Sequence, residues 1–386
     1  MNISKMFEKY AEVAVNVGVN IQPGQELIIN APIDAKDLVR NVVDQAYKSG
    51  ASNVITFYED DYNSLSRYNN VKEEYLENQV SWLIDGIYEG YKNNAARLVI
   101  LGRNPTLLKD IDPSIISKVA RARGIATKKL SELITSSHSQ WSIISYATDI
   151  WATQVFPNYT IEKAVEHLWN GIFKSCRIDC DNPIQNWNNH NDLIHKYSKY
   201  MNDKRYDSLK YVSNKTNLEV GLADGHVWEG GSALAKNGVM FNANIPTEEI
   251  YTTPHRTKVN GVVHATKPLL YRGNMIDGIV ATFKDGKIVD ITSSTDHSTK
   301  ILQDMINEDE GASRLGEVAL VPHSSPISKS GILYHETLFD ENASCHFAFG
   351  QSYSTCMSEI ENETDEEYME RGANKSNIHV DWMVGD

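Results

Sequence analysis

Strand-like and helix-like segments alternate along the first half of this chain, and this alternation restricts the possible fold more than any other feature. Short apolar runs with the composition of strands buried on both faces occur at residues 26–31, 53–58, 97–102 and 141–147. Segments with helical spacing lie between and after them, at residues 35–49, 82–92, 113–123 and 161–173. This repetition predicts an α/β domain with a mostly parallel sheet.

The pattern changes after a polar helical connector at residues 180–208. Short strand-like runs broken by Gly and Asn follow, for example at residues 218–222 and 258–266. Two further runs flank Asp285-Gly286, a pair typical of a two-residue hairpin turn. We therefore expect an α/β domain over residues 1–208 and a strand-rich α+β domain over residues 209–386.

Composition excludes several classes of function. The 386 residues include 37 Lys and Arg against 51 Asp and Glu, a net charge of −14. Nucleic acids and anionic membranes are bound by basic surfaces, so we expect neither as a partner. No secretory signal, no membrane-spanning apolar run and only four cysteines are found, which favours a cytoplasmic protein. No glycine-rich phosphate-binding motif follows any predicted strand, so the first domain is not an evident nucleotide-binding domain.

Acids and histidines in apolar surroundings are concentrated in the last seventy residues. The segments that carry them are Leu-Gly-Glu317-Val-Ala-Leu-Val, Glu341-Asn-Ala-Ser-Cys-His346 and Ile-His379-Val-Asp381-Trp-Met-Val. Val, Leu, Phe and Trp beside these groups indicate that the chain carries them into its interior. Buried charges normally need an opposite charge or a metal ion, so this region is the best candidate for a functional site.

Taken singly, each residue also has an ordinary structural interpretation. His379 and Asp381 point to one face of a strand and could bind one ion, or simply form a buried hydrogen-bonded pair. Glu317 could be an edge-strand residue that faces water. Asp340 could cap a turn as readily as bind a metal, and Glu336 is expected to be solvated.

Upstream, Asn244-Ile-Pro246-Thr-Glu248-Glu249 offers a further pair of acids, which could instead start a helix and complement its dipole. His255 and Arg256 could be a catalytic pair, a clamp for a substrate carboxylate, or surface residues. His226 and His264 are expected to be structural or exposed. Taken jointly, carboxylates with one or two histidines suit two divalent ions such as Zn²⁺, Mn²⁺, Co²⁺ or Mg²⁺, and a paired-metal site can activate water for hydrolysis.

These segments together resemble the thermophilic-type aminopeptidases of peptidase family M29. The motifs that carry the resemblance are Asn-Ile-Pro-Thr-Glu-Glu, Leu-Gly-Glu-Val-Ala-Leu-Val, Glu-Thr-Leu-Phe-Asp-Glu-Asn-Ala-Ser-Cys-His and His-Val-Asp-Trp-Met-Val-Gly. Four motifs in this order are specific, although each alone is not. The resemblance implies a cocatalytic two-metal aminopeptidase that acts on peptides with a free N-terminus, forms a homodimer, and carries its site in the second domain.

The resemblance also implies roles for individual residues. The metal ligands that it implies are Glu249, Glu317, Glu341, His346, His379 and Asp381. Glu317 is expected to bridge two ions, and Glu248 replaces Glu249 if the register of that pair is shifted. Catalytic roles fall to Glu341, as a proton shuttle, and to Tyr353, as a donor to the developing oxyanion.

Two other functions compete with this one. Ring-cleaving pyridine dioxygenases are distantly similar to the family and hold one iron through two histidines and an aspartate, a set that does not need Glu249 and Glu317. A metal-binding protein without turnover is the other alternative. Metal stoichiometry and activity on peptides separate the three hypotheses.

Overall fold

The computed structural model describes residues 2–102, 104, 106–272, 274–360 and 363–385, apart from the side chain of residue 113. The chain forms two compact units, one of residues 1–189 with 232–246 and one of residues 190–231 with 247–386. The boundary at residue 208, between folding domains of residues 1–208 and 209–386, stays a prediction. In the described part of the chain, every helix is too short or too polar to cross a bilayer.

The first unit is built on a parallel sheet. Its strands are β1 (Glu26–Pro32), β2 (Asn53–Glu59), β3 (Ala96–Leu101) and β4 (Trp141–Ser145). Its helices are α1 (Ile3–Val13), α2 (Lys36–Lys48), α3 (Asp61–Asn70), α4 (Ser81–Lys92), α5 (Pro113–Thr135), α6 (Asp149–Val155) and α7 (Ile161–Ser175). The sheet order is β2-β1-β3-β4 and every pairing is parallel, as predicted from the βα alternation.

Burial explains this sheet. Leu27 and Ile29 on β1 are fully buried, and so is Leu98 on β3, as expected for inner strands with near-continuous apolar runs. An aromatic cluster forms a further part of the core, with Phe7 of α1 edge-on to Trp169 of α7 at 5.0 Å between ring centroids. The helix predicted at residues 113–123 is longer than expected and continues to Thr135.

Helix α8 (Pro183–Lys204) follows, and then the strand-rich part of the chain. The strands in this part are β5 (Ser208–Val212), β6 (Asn217–Leu222), β7 (Ala233–Leu234), β8 (Met240–Phe241), β9 (Ile250–Thr252), β10 (Pro254–His264), β11 (Leu269–Tyr271), β12 (Asn274–Ile276), β13 (Val280–Lys284), β14 (Lys287–Thr292), β15 (Leu315–Leu320), β16 (His346–Gly350) and β17 (His379–Met383). The helices are α9 (Asp296–Ile306), α10 (Pro326–Ser330), α11 (Thr337–Asp340) and α12 (Asp365–Glu370).

Two antiparallel sheets organise the second unit. One has the order β14-β13-β10-β6-β5, and the other has the order β17-β16-β15-β9. The predicted hairpin turn is confirmed, because Asp285 and Gly286 both have positive φ, 50° and 78°, between β13 and β14. The fold class, a parallel α/β sheet followed by a strand-rich α+β part, is thereby confirmed. The helix considered after Pro246 is wrong, since residues 247–249 are not helical and lead directly into β9.

Candidate metal centre

The β17-β16-β15-β9 sheet brings distant acids and histidines to one face. Glu317 on β15 lies opposite Ala348 on β16, which in turn lies opposite Asp381 on β17. Residues directly opposite in an antiparallel sheet point to the same face, as do residues two apart on one strand. His346 and His379 therefore share that face with Glu317 and Asp381.

The other face of these strands packs into the apolar core. Phe347, Phe349 and Trp382 are fully buried there, and the rings of Phe349 and Trp382 stack with 4.7 Å between centroids. This packing determines which way each strand faces, because a slip of one residue would exchange the aromatic and the ionisable side chains. The alternation in His-Phe-Ala-Phe and His-Val-Asp-Trp thus positions the site.

A β-bulge at Gly316 turns Glu317 toward the site. Leu315 pairs with Phe349 and Glu317 pairs with Ala348, so Gly316 is an extra residue between them. Leu315 belongs to the apolar core, and without the bulge Glu317 would point to that same side. A Cβ on Gly316 would lie 2.3 Å from the carbonyl oxygen of Gln351, so only glycine fits.

Small residues separate the ionisable ones on the inner strands. Ala348, between Glu317 and Asp381, is fully buried, and so is Ala319, opposite His346. Their methyl groups leave space above the sheet that longer side chains would fill. The row Glu317–Ala348–Asp381 therefore has the acids at its sides and room at its centre.

Two groups of three ligand-type side chains share Glu317. In the first, His346 Nε2 lies 3.0 Å from Glu249 Oε2 and 3.6 Å from Glu317 Oε1. In the second, His379 Nε2 lies 3.6 Å from Glu317 Oε2 and 3.4 Å from Asp381 Oδ1. Within each group one ligand atom per residue lies within 4.8 Å of the others. The two oxygens of one carboxylate thus face different groups.

Backbone carbonyls fix both histidine tautomers. The Nδ1–H of His379 donates to the carbonyl oxygen of Gln351 at 2.7 Å, and that of His346 donates to Ser344 at 3.2 Å. A carbonyl oxygen can only accept, so Nδ1 carries a proton, and Nε2 is the ring atom that faces the acids. This is the usual support for a metal-binding histidine.

The electrostatics of the cluster favour a bound cation. Burial raises the pKa of Glu317, and Asp381 and Glu249 raise it further, although His346 and His379 lower it. Burial alone would lower the pKa of His379, but Asp381 and Glu317 outweigh it and raise that pKa to about 9. Glu249 Oε2 and Asp381 Oδ1 are buried and accept no hydrogen bond from the described residues. A divalent cation fits these donors, because it would satisfy the orphaned oxygens and neutralise the crowded acids.

Glu341 lies beside this cluster but belongs to neither group of three. It occupies a 3₁₀ turn directly after α11 and is buried, and Asn342 Nδ2 donates to its Oε1 at 3.4 Å. Burial, followed by the charges of Glu249 and Asp381, raises the pKa of Glu341 well above its ordinary value. The protonated form of this carboxyl group is thereby favoured relative to that of an exposed glutamate.

Two tyrosines flank the histidine end of the cluster. The ring of Tyr353 lies 4.7 Å from that of His379, and Tyr251 lies 6.0 Å from Tyr353, both between centroids. Burial and then the charge of Glu317 raise the pKa of Tyr353 well above its usual value, so its phenol stays protonated. Tyr251 pairs with Ala319 and so shares the face of the acids. The sequence interpretation omitted Tyr251, although its spacing of two from Glu249 signals a shared face.

Other candidates lie elsewhere or have structural roles. Glu248 is buried with its Oε1 3.9 Å from His190 Nε2, whereas Glu249 is the member of the pair beside His346. Asp340 caps its turn, because it accepts from the backbone N–H groups of Tyr334 and Glu336 at 2.7 and 3.1 Å. Burial raises the pKa of Asp340 to about 7.

Two sequence interpretations are wrong in detail. The edge-strand interpretation of Glu317 fails because β15 lies between β16 and β9 and Glu317 is buried. Glu336 is half-buried at the start of α11 rather than solvated.

His255 is buried and accepts from the Thr257 N–H at 3.2 Å, while Arg256 lies 3.4 Å from Glu310.

Comparisons with known proteins agree with the geometry. The sequence model described as thermophilic metalloprotease (M29) matches residues 3–386. Aminopeptidase 2 of Geobacillus stearothermophilus is 44% identical over 381 residues, which cover 99% of this chain and 92% of that protein. Aminopeptidase T of Thermus thermophilus is 40% identical over 378 residues, with coverage of 98% and 92%.

Solved structures show the same fold. Wild-type AmpT from Thermus thermophilus superposes with a TM-score of 0.93 at 40% identity, covering 99% of this chain and 93% of that chain. A 2,5-dihydroxypyridine dioxygenase from Pseudomonas putida KT2440 gives a TM-score of 0.51 at 10% identity, covering 98% of this chain and 90% of that chain. At that identity the second likeness concerns the fold alone.

Proposed function

The chain belongs to the thermophilic metalloprotease family M29, and on this basis we propose that it is a metal-dependent aminopeptidase that releases N-terminal amino acids from peptides. The observation that carries the proposal is the arrangement around Glu317, whose two oxygens face two different groups of three ligand-type residues. The names of the curated relatives support the reaction class. The dioxygenase alternative is supported only by a likeness of fold.

We propose that two divalent ions occupy the site. Glu249, His346 and Glu317 would hold one ion, and Glu317, His379 and Asp381 the other, with Glu341 close to both. Carboxylate-rich sets with one histidine per ion suit Co²⁺, Zn²⁺, Mn²⁺ or Mg²⁺. When bound, such a pair polarises the peptide carbonyl and lowers the pKa of water, so that hydroxide is available near neutral pH.

Glu341 is proposed as the proton shuttle. Its carboxyl group is buried beside Glu249 and Asp381, and its raised pKa lets it accept a proton from the attacking water and retain it. The same carboxyl group then donates that proton to the leaving amine. A carboxylate with an ordinary pKa would be a poor donor in the second step.

Tyr353 is proposed to stabilise the oxyanion. Its phenol O–H is a donor at any physiological pH, because burial and the neighbouring acids raise its pKa well above the usual value. A neutral donor held beside His379 can contribute a hydrogen bond as negative charge develops on the carbonyl oxygen.

We also propose that the protein is a cytoplasmic homodimer. The family resemblance supports the dimer, and free cysteines with an acidic composition support the location. Sedimentation velocity should give twice the 43.4 kDa chain mass, and a single-chain mass would contradict the dimer.

The central test is the substitution Glu317→Gln. An amide cannot supply two anionic oxygens, so we expect metal content to fall toward one ion per chain or below. Hydrolysis of leucine p-nitroanilide should fall by roughly 100-fold or more, since losses outside the ligand shell alone cost about 10–100-fold. Metal content by plasma mass spectrometry and steady-state rates are the measurements.

Glu248→Gln is the matched control, because it removes a neighbouring buried carboxylate that lies toward His190. Its metal content should stay at two ions per chain. Equal activity in Glu317→Gln and the parent protein would refute the bridging role. One iron per chain with oxygen uptake would favour the dioxygenase alternative, and two ions without turnover on any peptide would favour a binding protein.

A further inference from the structure

The first unit contains a cavity of about 380 Å³ that the peptidase chemistry does not use. It runs along β1 and β3 from Asn30 and Arg97 to their carboxyl ends, where Pro32, Leu101 and Gly102 line it. Side chains of α4 and α5 form the opposite wall. The volume is in the range of small-molecule sites, which begins at about 300 Å³.

The sheet topology places this cavity where ligands bind in open α/β sheets. In the order β2-β1-β3-β4, the chain moves from β1 to one side and then crosses to the other side for β3. The crevice between the carboxyl ends of β1 and β3 is therefore the topological switch point of the sheet. No glycine-rich loop follows β1, so a phosphate cradle is not part of this crevice.

Two buried polar atoms in the cavity lack partners. Arg97 Nε is buried and forms no hydrogen bond with the described residues, and the same holds for Asn30 Oδ1. Burial lowers the pKa of Arg97 and the charge of Arg123 acts in the same direction, whereas Tyr91 and the carboxylate of Glu59 act against them. The guanidinium nevertheless stays charged, because arginine is not deprotonated in proteins. A buried cation requires an anionic acceptor, and a buried amide oxygen requires a donor.

The rest of the lining adds negative charge and an apolar wall. Asp34 and Glu59 line the cavity close to the ends of β1 and β2. The apolar wall consists of Leu83, Ile84 and Ile87 on α4 with Leu130 and Ile134 on α5. A ligand that satisfies all three parts has an anionic group, a cationic donor and an apolar body.

We propose that this cavity binds a small zwitterion with an apolar side chain, a free amino acid or a dipeptide. Its carboxylate would pair with Arg97, its ammonium would donate to Asn30 Oδ1 and lie near Glu59, and its side chain would contact α4 and α5. The inference rests on the proposed function in one respect, because such zwitterions are the products and small substrates of an aminopeptidase. The site is thus a candidate for sensing products.

Isothermal titration calorimetry of the full-length, metal-loaded protein tests the proposal. L-leucine should bind the cavity. The Glu317→Gln variant should retain this binding, because Glu317 does not line the cavity. Acetyl-L-leucine lacks the ammonium and L-leucinamide lacks the carboxylate, so each should bind at least roughly tenfold more weakly. L-leucyl-L-leucine distinguishes a dipeptide from a free amino acid, and both it and L-leucinamide, which the active enzyme would hydrolyse, are titrated into the Glu317→Gln variant.

Substitutions locate the site. Arg97→Met and Asn30→Val should each weaken leucine binding at least roughly tenfold, because each removes one partner of a charged ligand group. Arg121→Met is the matched control, since it removes an exposed arginine of α5 that lies outside the cavity. If Arg97→Met does not fold, Leu83→Trp fills the same space from α4 and should abolish binding.

The outcomes separate the two proposals. Absence of binding at millimolar leucine, equal binding of the blocked analogues, or unchanged binding in both Arg97→Met and Asn30→Val would overturn the cavity proposal. These readouts do not depend on peptidase activity. A Glu317→Gln variant that remains active would overturn the metal-site proposal and leave the cavity result standing.

Discussion

At the scale of single residues, size matters in this site as much as charge. The acids and histidines supply ligand atoms, but Ala348 and Ala319 keep the space between them open. Glu317, His379 and Asp381 were predictable as candidates from residue type, because each lies beside apolar residues, whereas the full ligand set with Glu249 and Glu341 came from the resemblance to the family. The role of Ala348 was not predictable, since an alanine in a strand carries no signal until its cross-strand neighbours are known.

Ala348→Leu tests the need for this space. The larger side chain would project between Glu317 and Asp381, so metal content and peptidase rate should fall by at least about tenfold, with roughly 1–3 kcal/mol of destabilisation from overpacking. Ala348→Gly is the control, because it keeps the space open, and it should retain both ions. Metal analysis, rates and thermal unfolding report the three effects. Full metal content in Ala348→Leu would contradict this account.

His255 gives a prediction for pH. Burial, and then Lys258, lowers the pKa of His255 below its ordinary value of 6.5, so the folded protein binds this proton less readily than the unfolded chain does. The contribution of His255 to the free energy of unfolding should therefore be fully present above pH 6.5 and decrease as the pH falls below that value. His255→Asn removes the titrating group but retains an acceptor for the Thr257 N–H.

Urea unfolding between pH 5 and pH 8 measures this difference. The free energy of unfolding of the parent protein should fall more steeply below pH 6.5 than that of His255→Asn. Peptidase activity at pH 8 should remain near the parent value, because His255 lies outside the acid–histidine cluster. Parallel pH curves would show that His255 does not titrate differently on folding.

At the scale of secondary-structure elements, alternation and one bulge build the site. The alternating pattern of β16 and β17 was readable from sequence, and the paired side chains on one face were predicted. The interpretation of Glu317 as an edge residue was wrong, because strand order is set by contacts between segments far apart in the chain. The Gly316 bulge was also unrecognised, since a lone glycine in a strand has several explanations.

Gly316→Ala tests the bulge. A Cβ there would lie 2.3 Å from Gln351 O and 2.4 Å from Gly350 O, both backbone atoms that cannot move independently. We expect destabilisation by about 1–3 kcal/mol from strain and a larger loss of activity from displacement of Glu317. Chemical denaturation and peptidase rates are the measurements.

Gly124→Ala on α5 is the matched control, because nothing lies within 4 Å of the added Cβ. It should stabilise the protein by about 0.4–1 kcal/mol and leave activity unchanged. If both alanine variants behave alike, the bulge is not what orients Glu317.

At the scale of the whole molecule, metal binding and stability are linked. Crowded, buried carboxylates destabilise the folded chain unless a cation compensates them, and the unfolded chain has no preformed site. An ion that binds only the folded form at 100 times its Kd contributes about 2.7 kcal/mol. The acid–histidine cluster should therefore make stability depend on metal concentration.

Chelation measures this linkage. Treatment with EDTA should lower the Tm in differential scanning calorimetry, and returning Co²⁺ or Zn²⁺ should restore it together with activity. The variant Glu317→Gln should show a smaller EDTA effect, because its metal affinity is already reduced. An unchanged Tm after verified metal removal would show that the ions contribute nothing to folding.

Sequence alone determined the βα alternation of the first half, the hairpin at Asp285-Gly286, and a set of acids and histidines in apolar strands whose ordered motifs indicate the family. These features are local, because they depend on residue type and on spacings of two to four residues. Tertiary structure decided which acid of Glu248-Glu249 faces His346, the interior position of Glu317, the tautomers of the histidines, and the cavity beside Arg97. Those outcomes depend on the register and packing between segments far apart in the chain, which no local pattern encodes.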